Sequence, residues 1–113
     1  MTFRVIILPQ THRDIDRNAD WWADHHSVEQ AVRWSDKVYD QISTLASFPE
    51  SNGLSSENDE FPYEIRDKVV GLGSHPGYRA VFTIKDNTVY VLTIPRAAQN
   101  TLRPDQVDAP PEM

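Results

Sequence analysis

The apolar positions of this chain change period several times, and each change predicts an element. From Phe3 to Leu8 every position but Arg4 is apolar, with β-branched residues at its centre, which predicts a buried strand bounded by Pro9. Thr11 then offers an N-cap, and Asp14 places a carboxylate where it meets the helix dipole. Ile15, Ala19, Trp22 and His26 follow at helical spacing, with Asp16, Arg17, Asp20 and Asp24 on the other faces, so the first helix is amphipathic. Ser27 and Gln30 form a capping-box pattern that starts a second helix almost at once. Its stripe is Ala31, Trp34 or Ser35, Val38, Ile42 and Leu45, and Pro49 closes it. Two helices joined this tightly pack as an antiparallel αα-hairpin.

Residues 49–62 are rich in Pro, Gly, Ser, Asn and acid, and predict an exposed loop. Tyr63 to Val70 resumes strand character: Tyr63, Ile65 and Val69 share one parity, Glu64, Arg66 and Lys68 the other, and Asp67 interrupts the apolar row. A glycine-rich turn at 71–77 leads to two runs rich in Val, Ile, Thr, Tyr and Phe that flank Asp86 and Asn87, the signature of a β-hairpin. Its second run, Thr88 to Ile94, is apolar at nearly every position and predicts a central strand covered on both faces. Pro95-Arg96 then delivers an arginine to the end of the sheet. Residues 97–103 have room for one or two helical turns. The order β-α-α-β-β-β predicts an α+β fold: an N-terminal strand, an αα-hairpin and a three-stranded antiparallel meander, with the helices on one face of the sheet. The first strand is free to join any open edge. Residues 1–103 form one domain in this reading, and 104–113 a disordered acidic, Pro-rich tail.

Composition narrows the class. At 113 residues, 39% hydrophobic and 25% charged, the chain has enough apolar material for a single core. It has no cysteine, which excludes a disulfide framework and thiolate metal sites. The opening apolar run stops at Pro9 without a cleavage-site pattern, and no stretch approaches the roughly 20 apolar residues of a membrane span, so the expectation is a cytoplasmic protein without a membrane partner. The formal charge of −6 works against indiscriminate nucleic-acid binding. That charge is uneven, because Arg79, Lys85, Arg96 and Arg103 face only Asp86 across residues 78–103, and this basic segment is where an anionic partner fits.

Other candidate chemistry is weaker. Neighbouring helical residues point about 100° apart, so His25 and His26 cannot chelate one metal ion together, and no metal or cofactor is expected. The glycines of 71–77 lie between strands rather than before a helix, and read as a turn instead of a phosphate cradle. Trp22 and Trp34 lie on or beside the apolar stripes and belong to the core, whereas Trp21 lies off the stripe and is free to face a partner.

The opening VIILP, the helical hairpin closing in LASFPE, the strand YEIRDKVV and the hairpin YRAVFTIKDNTVYVLTIPR together resemble the RelE/ParE toxin superfamily of type II toxin–antitoxin (plasmid stabilization) pairs, over roughly residues 3–100. The resemblance implies a cognate antitoxin as partner, and DNA gyrase (ParE-like) or ribosome-bound message (RelE-like) as target. It also implies a homodimer or a heterotetramer with the antitoxin as assembly. Carried over by position, Arg66, Arg79 and Arg96 match the family's basic positions and would contact a phosphate or a partner, with Glu64 and His75 as proton-transfer candidates. Residues 97–100, Ala-Ala-Gln-Asn, bring no acid or base where mRNA interferases of this type often carry Tyr or His. The expectation is therefore a ParE-like gyrase poison, with an interferase or an inactive partner-binding domain of the same fold as alternatives.

Overall fold

In the computed structural model, which describes residues 2–74, 76–98 and 101–111, a strand β1 (Arg4–Ile7) runs into two helices, α1 (Pro9–His25) and α2 (Val28–Ser43). Three strands follow, β2 (Arg66–Val70), β3 (Tyr78–Lys85) and β4 (Thr88–Thr93). The sheet order is β1-β4-β3-β2, with β2, β3 and β4 an antiparallel meander. β1 takes the free edge of β4 in parallel. Both neighbours of β4 are thus strands, and Val89, Val91 and Leu92 are fully buried as its apolar run requires.

Pleat alternation sorts the sheet into two cores. Tyr78, Ala80, Phe82, Val89 and Val91 face α1 and α2, where Ile15, Trp34, Val38, Ile42 and Leu45 meet them. The opposite face carries Val81 and Leu92, which pack with Leu8, Phe61, Ile65 and Leu102. Both helices therefore lie on one face, while loop residues and the C-terminal segment cover the other. The α2 stripe is buried as its periodicity predicts, and Ser27 Oγ accepts from the N–H of Gln30. On α1 only Ile15 of the predicted stripe is fully buried; Ala19 and Trp22 are half-buried and His26 is exposed. Truncating Ile42 to Ala is expected to cost about 2–5 kcal/mol, read from urea unfolding. A loss well below about 1 kcal/mol would refute its place in the core.

Several local expectations give way to longer-range contacts. Pro9 opens α1 instead of merely ending β1, because its missing N–H costs nothing at the first helical position. Thr11 is then inside the helix, and its hydroxyl donates to the Val91 carbonyl of β4, 2.7 Å away. β2 is shorter than predicted, and the loop before it is not simply exposed: Ser55, Glu57 and Phe61 are buried. This loop also protects the outer edge of β2, through Ser55 N–H to the Ile65 carbonyl and Asp67 N–H to the Gly53 carbonyl. Gly71 ends the strand at φ 127°, where an added Cβ would stand 2.6 Å from the Pro76 carbonyl oxygen.

The segment after β4 shows no helix at 97–98 or 101–103; its short 3-10 turn is Pro104–Gln106. Part of the stretch for which composition predicts disorder lies along α1. Gln10 donates to the Gln106 carbonyl and accepts from the Asp108 N–H, and Arg13 pairs with Asp108. Leu102 and Val107 add apolar contacts to the core on the helix-free face.

Candidate functional site at the exit of the last strand

Register decides which arginines can act together. Arg66 pairs with Phe82 across β2 and β3, so it shares the helix-facing side, whereas Arg79 alternates with Ala80 onto the other side. The two cannot close on one phosphate. Arg66 donates to the carbonyls of Glu50 and Asn52 and pairs with Glu64 at 3.0 Å, so Glu64 serves as its partner on an exposed rim.

Arg79 is committed more deeply. Its residue is 8% exposed, and its guanidinium pairs with Glu57 through both nitrogens of its fork and with Asp67 at 2.9 Å. Ser55 Oγ accepts a further bond from Arg79 and donates to Glu57, whose second oxygen accepts from the Leu102 N–H. The Arg79 hydrogen bonds hold the Glu57 carboxyl far below the usual carboxylate range, against the opposing effect of burial, and the same pairing raises Arg79 above its ordinary value. This arginine is a structural cation that ties loop, sheet and C-terminal segment together. It also explains Asp67, the acid that interrupts the apolar row of β2. Glu57 was not identifiable as its partner from sequence, but an unexplained acid one strand away was a usable signal.

Arg96 remains on the helix side of the sheet's end. Its guanidinium carbon lies 4.8 Å from the Trp21 ring centre and 5.9 Å from that of Tyr78, within cation–π range. Trp21, which lies off the apolar stripe, in turn stacks with His25 at 4.3 Å and is half-buried on α1. His75 lies outside the described residues. No group of His, Asp and Glu among the described residues is arranged to hold a metal ion, and no helix there is long and apolar enough to cross a membrane.

Beside Arg96 a groove of about 400 Å³ runs between α1 and the segment leaving β4. Arg17, Arg96 and Arg103 line it, and Asp14 is the only carboxylate in its wall among the described residues. Asp14 is buried: it accepts from the Thr93 hydroxyl and the Ile94 N–H, and holds Arg17 at 2.7 Å. Arg17, which sequence reasoning did not single out, and Arg103, from the basic segment it did, thus join Arg96 in one place.

Comparison with known proteins agrees with this architecture. A sequence model described as the ParE toxin of type II toxin–antitoxin system, parDE, matches residues 5–101. The chain belongs to the ParE toxin family. Among solved structures, the chromosomal ParDE toxin–antitoxin system from P. aeruginosa superposes with a TM-score of 0.69 at 18% identity, covering 84% of this chain and 96% of that one. At that identity the likeness shows a shared fold. A sequence search against curated proteins gave no significant match. The three arginines named from the sequence stand in three different circumstances: Arg66 tied to loop carbonyls, Arg79 neutralised inside the protein, and Arg96 stacked at the surface.

Proposed function

We propose that this ParE-family chain is the toxin half of a type II pair, neutralised by a cognate antitoxin that covers the exit of β4, and that it traps DNA gyrase rather than cutting message. The observation that carries the reading is the separation of Arg66 and Arg79 onto opposite faces, with Arg79 held by Glu57 and Asp67. A ribonuclease needs its phosphate clamp, acid and base within hydrogen-bond reach of a single bond. A poison of a large enzyme needs a surface, and the Trp21, Tyr78 and Arg96 cluster has the composition of a binding hot spot.

The test is induced expression in a bacterial host, alone and with the product of the small adjacent reading frame. Growth arrest with gyrase-dependent DNA breaks, relieved by the neighbour and weakened by Arg96→Ala, is the expected outcome. Codon-positioned cuts in translated message that vanish in Arg96→Ala would make the chain an interferase. Arg79→Ala cannot serve as the catalytic control, since it removes a buried ion pair.

A further inference from the structure

The groove between α1 and the segment leaving β4 is polar, preorganised and unassigned by the family match. Arg17 is largely exposed, yet its guanidinium is fixed by a buried carboxylate that is itself anchored to Thr93 and Ile94. Burying Asp14 carries a desolvation cost, and the return is an exposed guanidinium anchored at one nitrogen beside the groove. Arg96 is oriented by the faces of Trp21 and Tyr78. Arg103 reaches in from the other wall, and its 3.3 Å pair with Asp105 is between two exposed groups, weak and exchangeable.

We propose that this groove binds a short peptide segment of a partner protein through one or two closely spaced carboxylates, with Asp14 as the positioning residue for Arg17. Guanidinium forks match carboxylates in geometry, and the volume suits a few side chains. An extended polyanion fits less well, because exposed Asp16, Asp20, Asp24, Asp105 and Asp108 lie on the elements that form the groove, in a chain of net charge −6. The ligand class follows from the groove alone; that the segment belongs to the antitoxin rests on the function proposed above.

The full chain is titrated with acetyl-Leu-Glu-Glu-Leu-amide, its Gln-Gln counterpart and a dT hexamer, followed by ¹⁵N NMR of the Trp21 indole and the arginine Nε groups. The Glu peptide should shift Trp21, Arg17, Arg96 and Arg103 and bind about tenfold or more tightly than the Gln peptide. The double variant Arg17→Gln, Arg103→Gln should erase that preference with the backbone spectrum retained. Asp14→Asn should narrow the Glu-over-Gln ratio, which a general loss of structure would not do selectively. Equal affinity for the two peptides, shifts confined to other surfaces, or no shift at all would overturn the proposal, and tighter binding of the hexamer would make this a nucleic-acid site. If the peptide preference holds while the neighbouring gene product fails to relieve toxicity, only the antitoxin assignment falls.

Discussion

Replacing Arg79 by Ala should destabilise the protein by about 3–5 kcal/mol, the cost of leaving buried carboxylates without their cation. Glu57 is 3% exposed and Asp67 shares the same guanidinium, so both lose their countercharge at once. The loss would also release the Leu102 N–H from a fixed acceptor, loosening the C-terminal segment that walls the arginine groove. Urea unfolding at neutral pH measures the effect. A clamp arginine would behave otherwise, losing activity at unchanged stability, and an unfolding midpoint equal to that of the parent would return Arg79 to the list of functional candidates.

The same ion pair sets a pH dependence with a definite sign. The folded-state pKa of Glu57 is depressed below its ordinary value of 4.5, chiefly by the Arg79 hydrogen bonds. Its contribution is therefore fully present above about pH 4.5 and is lost progressively as the pH falls toward the depressed value. Glu57→Gln should flatten the acid limb of the stability profile. An unchanged acid limb would mean that other carboxylates govern acid unfolding.

The second large effect is expected at Trp34, the largest fully buried side chain. Trp34→Ala should cost about 3–5 kcal/mol, because the cavity opens where α2 meets β3 and cannot collapse around both. Its ring meets Tyr78 edge to face at 5.0 Å, and Tyr78 is one of the two rings beside Arg96. Truncation should therefore weaken partner binding at the β4 exit as well as stability, whereas Trp34→Phe should retain most of both. Chemical denaturation and the peptide titration separate the two consequences, and a loss under about 1 kcal/mol would show that the residue is not core.

Pattern alone determined much of this protein. The 3.6-residue stripe of α2, the parity of β3 and the continuous apolar run of β4 are local properties, and they specify which faces are buried before any partner is known. Element order and the quoted segments were likewise enough to indicate the superfamily. Tertiary structure decided what periodicity does not encode, namely which charges find each other. Arg79 meets Glu57 across 22 residues, and Asp14 meets Thr93 across 79. Nothing in the local sequence of an acidic loop marks one glutamate as a buried countercharge, because that depends on how the loop folds over the sheet. The parallel docking of β1 beside β4 is similarly non-local: either edge satisfied its apolar run, and the contacts of Phe3, Val5 and Ile7 with the helix-facing core accompany the one it takes. Three arginines that look alike in sequence thus become a loop anchor, a buried cation and a ring-stacked surface cation, because burial and available partners set the use of a guanidinium and both are properties of the folded chain.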